Sequence, residues 1–279
     1  MSFENEDWFN LKEINDGIWT ISDKTGANCY LVEGKTKSLL IDTGWGLGNL
    51  AELVQSLTSL SVNVVFTHGH PDHVNGAYQF SDLYITPKDE KLLNMFYIKE
   101  TRQQILNRFK DVLPPNFSKS DWVNAKITDP SLISENYVFD LGNRKLKVIE
   151  CPGHTPGSIC LLDTKDKILF SGDSLLAKHV LMNLETSLPL NIYLKSIKHI
   201  NNFSSDFNTI LSGHDAKPVN TIVIEELING VSDIIEGKVR GKLEKTRFGE
   251  ALSVKFNHTS INYNEDNIIS KNKDRIFQK

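Results

Sequence analysis

A chain of 279 residues with 39% apolar and 24% charged side chains can bury a sizeable core and keep an ordinary solvated surface. Its net charge of −4, with no long basic tract, favours neither nucleic acid nor an anionic membrane as partner. No apolar run reaches the ~18–20 residues of a membrane helix, and the acidic start MSFENEDWFN lacks the basic and apolar regions of a signal peptide, so a cytoplasmic location is expected.

The chain opens with strand patterns. GIWTIS (17–22), NCYLVEG (28–34) and KSLLIDTG (37–44) carry β-branched and aromatic residues between Gly, Asp and Asn. Over 46–57, Leu47, Leu50, Leu53, Val54 and Leu57 recur at helical spacing. SVNVVFTHGH (61–70) predicts a short strand running into a histidine cluster, and DLYITP (82–87) another strand. A helical stretch follows over 88–112, closed by Pro114 and Pro115, with a loop over 113–135. Strands are expected at 144–151, 158–163, 167–171 and 208–213, and a helix at 192–203. Pro218 is expected to open a long helix running to about Lys238. The alternating run SVKFNHTSINY (253–263) predicts a last strand, and the terminus after it is expected to fray. No internal repeat or low-complexity linker divides the chain. The expectation is one domain over 1–279, with a helical insertion at about 88–135 and a C-terminal helix plus strand at about 218–265.

The chemistry concentrates in THGHPDHVNGA (67–77). It holds three of the eight histidines, His68, His70 and His73, together with Asp72. Further imidazole and carboxylate groups follow other apolar strands: His154 in CPGHTPGS, Asp173 in LFSGDS and His214 in LSGHD. Each stands at a strand end, in a loop containing Gly or Pro, where a rigid sheet presents site residues. Nitrogen and oxygen donors of this kind suit Zn²⁺, Fe or Mn²⁺. Seven donors are too many for one tetrahedral ion and about right for two. A carboxylate able to bridge would hold two dications roughly 3.5–4 Å apart. The three cysteines, Cys29, Cys151 and Cys160, are too few and too sparse for a disulfide framework and read as reduced, buried thiols.

The run His68-x-His70-x-Asp72-His73 with three later donors resembles the signature of the metallo-β-lactamase-fold hydrolase superfamily, in its glyoxalase II-like and lactonase-like branch, and the order of matches covers residues 26 to about 215. The resemblance implies a four-layer α/β sandwich, αββα, of two mixed β-sheets flanked by helices. It implies two divalent metal ions, with Zn²⁺ the first expectation and Fe or Mn the alternatives. His68, His70 and His154 would hold the first ion; Asp72, His73 and His214 would hold the second, with Asp173 bridging. Asp42, in IDTG (41–44), would support the metal loop from behind. Asp72 would also be the catalytic proton acceptor for a bridging hydroxide that attacks a small ester, thioester or lactone.

Other branches fit less well. β-Lactamases of this fold generally lack the bridging carboxylate that Asp173 supplies. The lactonases place a tyrosine three residues after it, where this chain has Leu176. Phosphodiester-cleaving members need basic surfaces or inserted domains. A persulfide-type iron dioxygenase on the same scaffold is the alternative from another reaction class. Trp45, Phe96, Tyr97 and Phe117 are candidates for an apolar wall over the cleft, and Lys178 and His179 for contact with an anionic substrate tail. The expected partner is a small-molecule substrate, without nucleic acid or membrane, and with a homodimer left open.

Overall fold

The computed structural model describes residues 8–270. The acidic start (1–7) and the terminus expected to fray (271–279) lie outside the described residues. Strands β1 (Phe9–Asn15), β2 (Ile18–Asp23), β3 (Asn28–Glu33) and β4 (Ser38–Ile41) form an antiparallel meander. Helix α1 (Leu50–Leu57) returns the chain so that β5 (Val62–Val65) pairs parallel with β4. After a single turn, α2 (Pro71–Val74), β6 (Leu83–Ile85) extends the same edge. Helices α3 (Pro87–Met95), α4 (Lys99–Arg108) and α5 (Lys119–Val123) precede β7 (Ser131–Leu132), which completes a seven-stranded mixed sheet.

The second sheet has the order β13-β11-β10-β9-β8. Its strands are β8 (Val138–Asp140), β9 (Lys145–Glu150), β10 (Ile159–Asp163), β11 (Ile168–Gly172) and, after β12 (Val180–Met182) and α6 (Leu190–Asn201), β13 (Thr209–Ser212). Helix α7 (Ile222–Ile235) follows. A third, four-stranded sheet joins β12 to the C-terminal strands β14 (Lys242–Thr246), β15 (Gly249–Lys255) and β16 (Ser260–Tyr263).

The period-2 alternation of strand side chains assigns the layers. On β4, Leu39 and Ile41 pack with Val148, Leu161 and Phe170 of the second sheet, filling the space between the two sheets. The intervening Leu40 points the other way, to Leu50 and Val54 of α1. On β10, Leu161 faces the first sheet while Cys160 and Leu162 face Ile197 of α6 and Leu227 of α7. Helix, sheet, sheet and helix therefore stack as an αββα sandwich, with the third sheet packing Leu252, Ile261 and Tyr263 beside α6 and α7.

Several elements differ from the sequence pattern. Helix α1 starts at Leu50, not residue 46, because Gly46 takes a φ of +67° and Asn49 caps the helix by accepting from the Glu52 N–H. The 88–112 stretch breaks between α3 and α4, and α4 then turns Arg102 inward, over the Trp122 ring at 3.8 Å and the Tyr97 ring at 4.5 Å. Five-residue α5 lies inside the expected loop; it is too short for a periodic signal. Pro218 sits in a loop, and α7 begins at Ile222 after Asn220 accepts from its N–H. The run 253–263 is not one strand: Phe256 donates to the Thr259 carbonyl across a tight turn, so β15 and β16 form a hairpin. Among the described residues no helix is long and apolar enough to cross a membrane.

At the edge away from the histidines an arginine pairs with two aspartates of the second sheet and hydrogen-bonds across to the first. Arg144 is almost fully buried, its Nε 3.4 Å from Asp163 and its Nη2 2.5 Å from Asp166, while it also donates to the Asp16 carbonyl in the β1–β2 turn. Arg144→Met would leave the buried Asp163 charge without its partner. We expect a loss of about 3–5 kcal/mol in unfolding free energy, measured by urea denaturation. A loss below about 1 kcal/mol would contradict this role.

Candidate metal centre

Strands β5, β9, β11 and β13 end at one edge of the sandwich, and the chemistry-bearing loops follow them. His68 and His70 leave β5 directly, and Pro71 starts α2 so that Asp72 and His73 fall on its single turn. His154 follows β9, Asp173 is the residue after β11, and His214 follows β13. All seven side chains picked out in the sequence converge. Three overlapping sets, His68/His70/His154, His68/His73/Asp173 and Asp72/His73/His214, each bring their donor atoms within 4.8 Å of one another.

In the first set His70 Nδ1 lies 3.1 Å from His68 Nε2 and 2.9 Å from His154 Nε2. Asp173 faces both halves. It is 3.5 Å from His154 Nε2, 3.5 Å from His73 Nε2 and 3.3 Å from His214 Nε2. Asp72 approaches His214 Nε2 at 3.5 Å.

Each imidazole has its other nitrogen engaged. His68 Nδ1 meets the Thr67 hydroxyl, and His70 Nε2 meets Thr186 Oγ1 at 2.9 Å. His154 Nδ1 donates to the Leu181 carbonyl and His214 Nδ1 to the Gly26 carbonyl. His73 Nδ1 lies 2.8 Å from Asp42. These partners fix ring orientation and, for the neutral His154 ring, the tautomer, so that its unprotonated Nε2 faces inward. Asp42 reaches this position from a left-handed backbone (φ 62°) just beyond β4, and it also accepts from the Thr67 N–H and hydroxyl.

Burial and charge divide the cluster. Burial pushes the His70 imidazole down to about 3 and lowers His68 and His154 likewise, so these three are neutral lone-pair donors. Burial also lowers His73 and His214, but neighbouring carboxylates outweigh it. Asp42 and Asp173 hold His73 at about 9, and Asp173 and Asp72 hold His214 at about 10. Burial raises Asp72 and Asp173, yet His73 and His214 outweigh it and keep both ionised. Protons on His73 and His214 thus balance the carboxylates, and an entering cation would displace them.

The donor set fits divalent ions. His73 Nε2 and Asp173 Oδ1 are buried, face each other and have no hydrogen-bond partner among the described residues. Two such orphaned atoms between converging nitrogens are costly unless a cation joins them. The thiols take no part: Cys151 Sγ lies 3.1 Å from Ser174 Oγ and 3.4 Å from Cys160 Sγ, within the core.

Asp89, which no sequence motif marked, joins the two histidine loops. It is fully buried at the start of α3 and accepts from the Gly69 N–H, the Gly157 N–H and Thr155 Oγ1. This explains both glycines. A Cβ on Gly69 would meet the Asp89 carbonyl at 2.9 Å, and one on Gly157 would meet the Asp89 carboxyl carbon at 2.6 Å.

A cleft of about 850 Å³ opens from the cluster, walled by Trp45 and Phe96 among others. Two aromatics expected on this wall are elsewhere. Phe117 packs towards Trp122 in a satellite core, and the Tyr97 hydroxyl donates to the Val74 carbonyl while its ring lies against Arg102. Lys178 and His179 line a second recess of about 400 Å³ that shares Asp173 and Leu181 with the first.

Comparison with known proteins agrees with this architecture. A metallo-beta-lactamase from Pontibacter korlensis superposes with a TM-score of 0.57 at 18% identity, over 79% of this chain and 97% of that one. A stereoselective inverting sec-alkylsulfatase from Pseudomonas sp. gives 0.62 at 14% identity, over 83% and 44%. In sequence, the acyl-coenzyme A thioesterase MBLAC2 of Homo sapiens is 32% identical over 185 residues, 60% of this chain and 66% of that protein. An atrochrysone carboxyl ACP thioesterase of Aspergillus novofumigatus is 23% identical over 233 residues, 81% of this chain and 58% of that protein. The chain therefore spans just under two thirds of the first of these relatives. The profile of the metallo-beta-lactamase superfamily matches residues 23–214, from the end of β2 to the last histidine of the cluster. Sandwich, loop order and matched span agree, and the chain belongs to the metallo-beta-lactamase superfamily.

Proposed function

We propose that this chain is a dinuclear metal-dependent hydrolase of small thioesters, with esters and lactones as secondary substrates. His68, His70 and His154 hold one divalent ion, Asp72, His73 and His214 hold a second, and Asp173 is shared. The main support is the overlap of three donor sets, in which His68 and His73 each belong to two. All-nitrogen-and-oxygen donors favour zinc. Bound dications polarise the substrate carbonyl and bring the pKa of water towards neutrality.

The chain's own groups supply the rest. Asp72, ionised and at the cleft wall, takes a proton from the attacking water and returns it to the departing group. Water oxygen bonds to the carbonyl carbon, the carbon–sulfur bond breaks, and acid and thiol leave. Trp45 and Phe96 exclude bulk water beside the reacting carbon. The choice of thioesters is supported by the names of the relatives, an acyl-coenzyme A thioesterase and an ACP thioesterase. The chain works as one unit, since the 88–135 insertion supplies Phe96 and the C-terminal segment supplies Phe248 to the same cleft. Three free, buried thiols support a reducing, cytoplasmic setting.

Elemental mass spectrometry of protein purified without chelator should find about two divalent ions per chain. The same sample should hydrolyse a thioester faster than a lactone or a phosphodiester. About one iron per chain with no hydrolysis would refute the proposal and point to oxygen chemistry.

A further inference from the structure

The turn joining β14 and β15 stands between the two recesses, and its Arg247 and Phe248 line both. The recesses differ in character. The larger is mainly apolar, with Trp45, Met95, Phe96 and Phe248 on its wall, beside which stand Arg108 and Glu185, and Met95 and Phe248 are exposed at its rim despite their size. The smaller carries Lys178, Lys245 and Arg247, all exposed. None of these three forms an ion pair among the described residues; Arg247 lies only against the Phe248 ring, at 4.6 Å. The acidic groups beside them are committed. Glu244 pairs with Lys255 at 3.3 Å, and Asp215 accepts from the Ala177 N–H and from Ser212 Oγ. Asp173 and His214, which also border this recess, belong to the donor set.

From this contrast we infer that the β14–β15 hairpin divides the substrate, with the acyl chain in the apolar recess and a phosphate-bearing thiol carrier against Lys178, Lys245 and Arg247. The inference rests on the thioester reading above and adds the substrate's polarity to it. The scissile bond then lies over Asp173, which both recesses share. Three unpaired cations at one mouth attract a multiply charged phosphate group, and the attraction is screened by salt because they are exposed. The apolar recess gains from each methylene that it removes from water.

The test compares one acyl group on three thiols: coenzyme A, phosphopantetheine and uncharged pantetheine. KM should rise about tenfold from the first to the last, with kcat changing much less. Added salt should raise KM for the two phosphate-bearing thioesters and leave that for the pantetheine thioester unchanged. In Arg247→Ala and in the double variant Lys178→Ala/Lys245→Ala, the KM ratio between charged and uncharged carriers should fall towards one. Arg247 sits on the hairpin turn, Lys178 in a loop and Lys245 on β14, all with exposed side chains, so folding is not at stake. Equal KM on all three thiols overturns the inference while leaving thioester hydrolysis intact. So does activity confined to acyl chains on a carrier protein, with the coenzyme A thioester no better than the uncharged one. If no thioester is cleaved, the functional reading fails instead, and binding of desulfo-coenzyme A decides the recess: affinity lost in the variants supports it, and affinity unchanged overturns it.

Discussion

Asp89→Ala should weaken metal binding by about 10–100-fold, although Asp89 is not among the seven donor residues. Its carboxylate is the shared acceptor for the Gly69 N–H, between His68 and His70, and for the Gly157 N–H and Thr155 hydroxyl, just beyond His154. The first set of histidines comes from two loops far apart in sequence. Backbone pairing between them ends where the Ile159 N–H donates to the Thr67 carbonyl, and beyond that point Asp89 holds both loops to α3. Its loss leaves the buried Gly69 and Gly157 N–H groups unsatisfied, at about 1–3 kcal/mol each before relaxation, while the Thr155 hydroxyl can still donate to Ser158 Oγ, so thermal stability should fall as well. A stability loss alone would not separate positioning from general damage. Asp89→Asn does. Its amide oxygen can keep the Gly69 and Thr155 bonds made by Oδ2, leaving only Gly157 facing an N–H. Metal affinity, read by competition with a chromogenic chelator, should recover partly in Asp89→Asn at matched folded fraction. Unchanged affinity in Asp89→Ala would rule out the positioning role.

Asp173→Ala should have the larger effect on activity. Among the described residues Asp173 is the carboxylate within 3.5 Å of three histidines, His73, His154 and His214, drawn from different loops. Removing two charge-assisted interactions, at about 1.5–3 kcal/mol each, corresponds to roughly 10²–10⁴-fold in kcat/KM. Bound metal should fall from about two to about one per chain. A second readout needs no turnover. In metal-free protein Asp173 is the largest influence raising the His214 imidazole to about 10, so its removal should bring that titration down towards the ordinary histidine range, as followed by NMR. Full activity with two metals retained would defeat the shared-ligand assignment.

The site also shows how a local pattern and a long-range one differ. His68, His70, Asp72 and His73 stand within six positions, so their joint presentation follows from one strand end and one turn. His154, Asp173 and His214 carry no such proximity. What marked them was their place after apolar strands, and the parallel pairing of β11 with β13 then sets Asp173 and His214 side by side. Asp89 and Thr186 had no legible signal. A buried carboxylate at a helix start reads as an ordinary first-turn acid, and a lone threonine in a loop reads as surface.

The strand-rich frame, its period-2 faces and the chemical type of the donors are legible in the order of amino acids alone. These depend on neighbours within a few residues, where side-chain alternation and turn chemistry act directly. Long-range packing set the rest. It split the 88–112 helix to bury Arg102 among aromatics, turned the run 253–263 into a hairpin, and moved Phe117 and Tyr97 off the cleft while bringing Arg247 and Phe248 onto it. The physical reason is common to all of these. Each depends on which surfaces from distant parts of the chain meet, and burial of apolar area is non-directional until the sheets have set those surfaces in place.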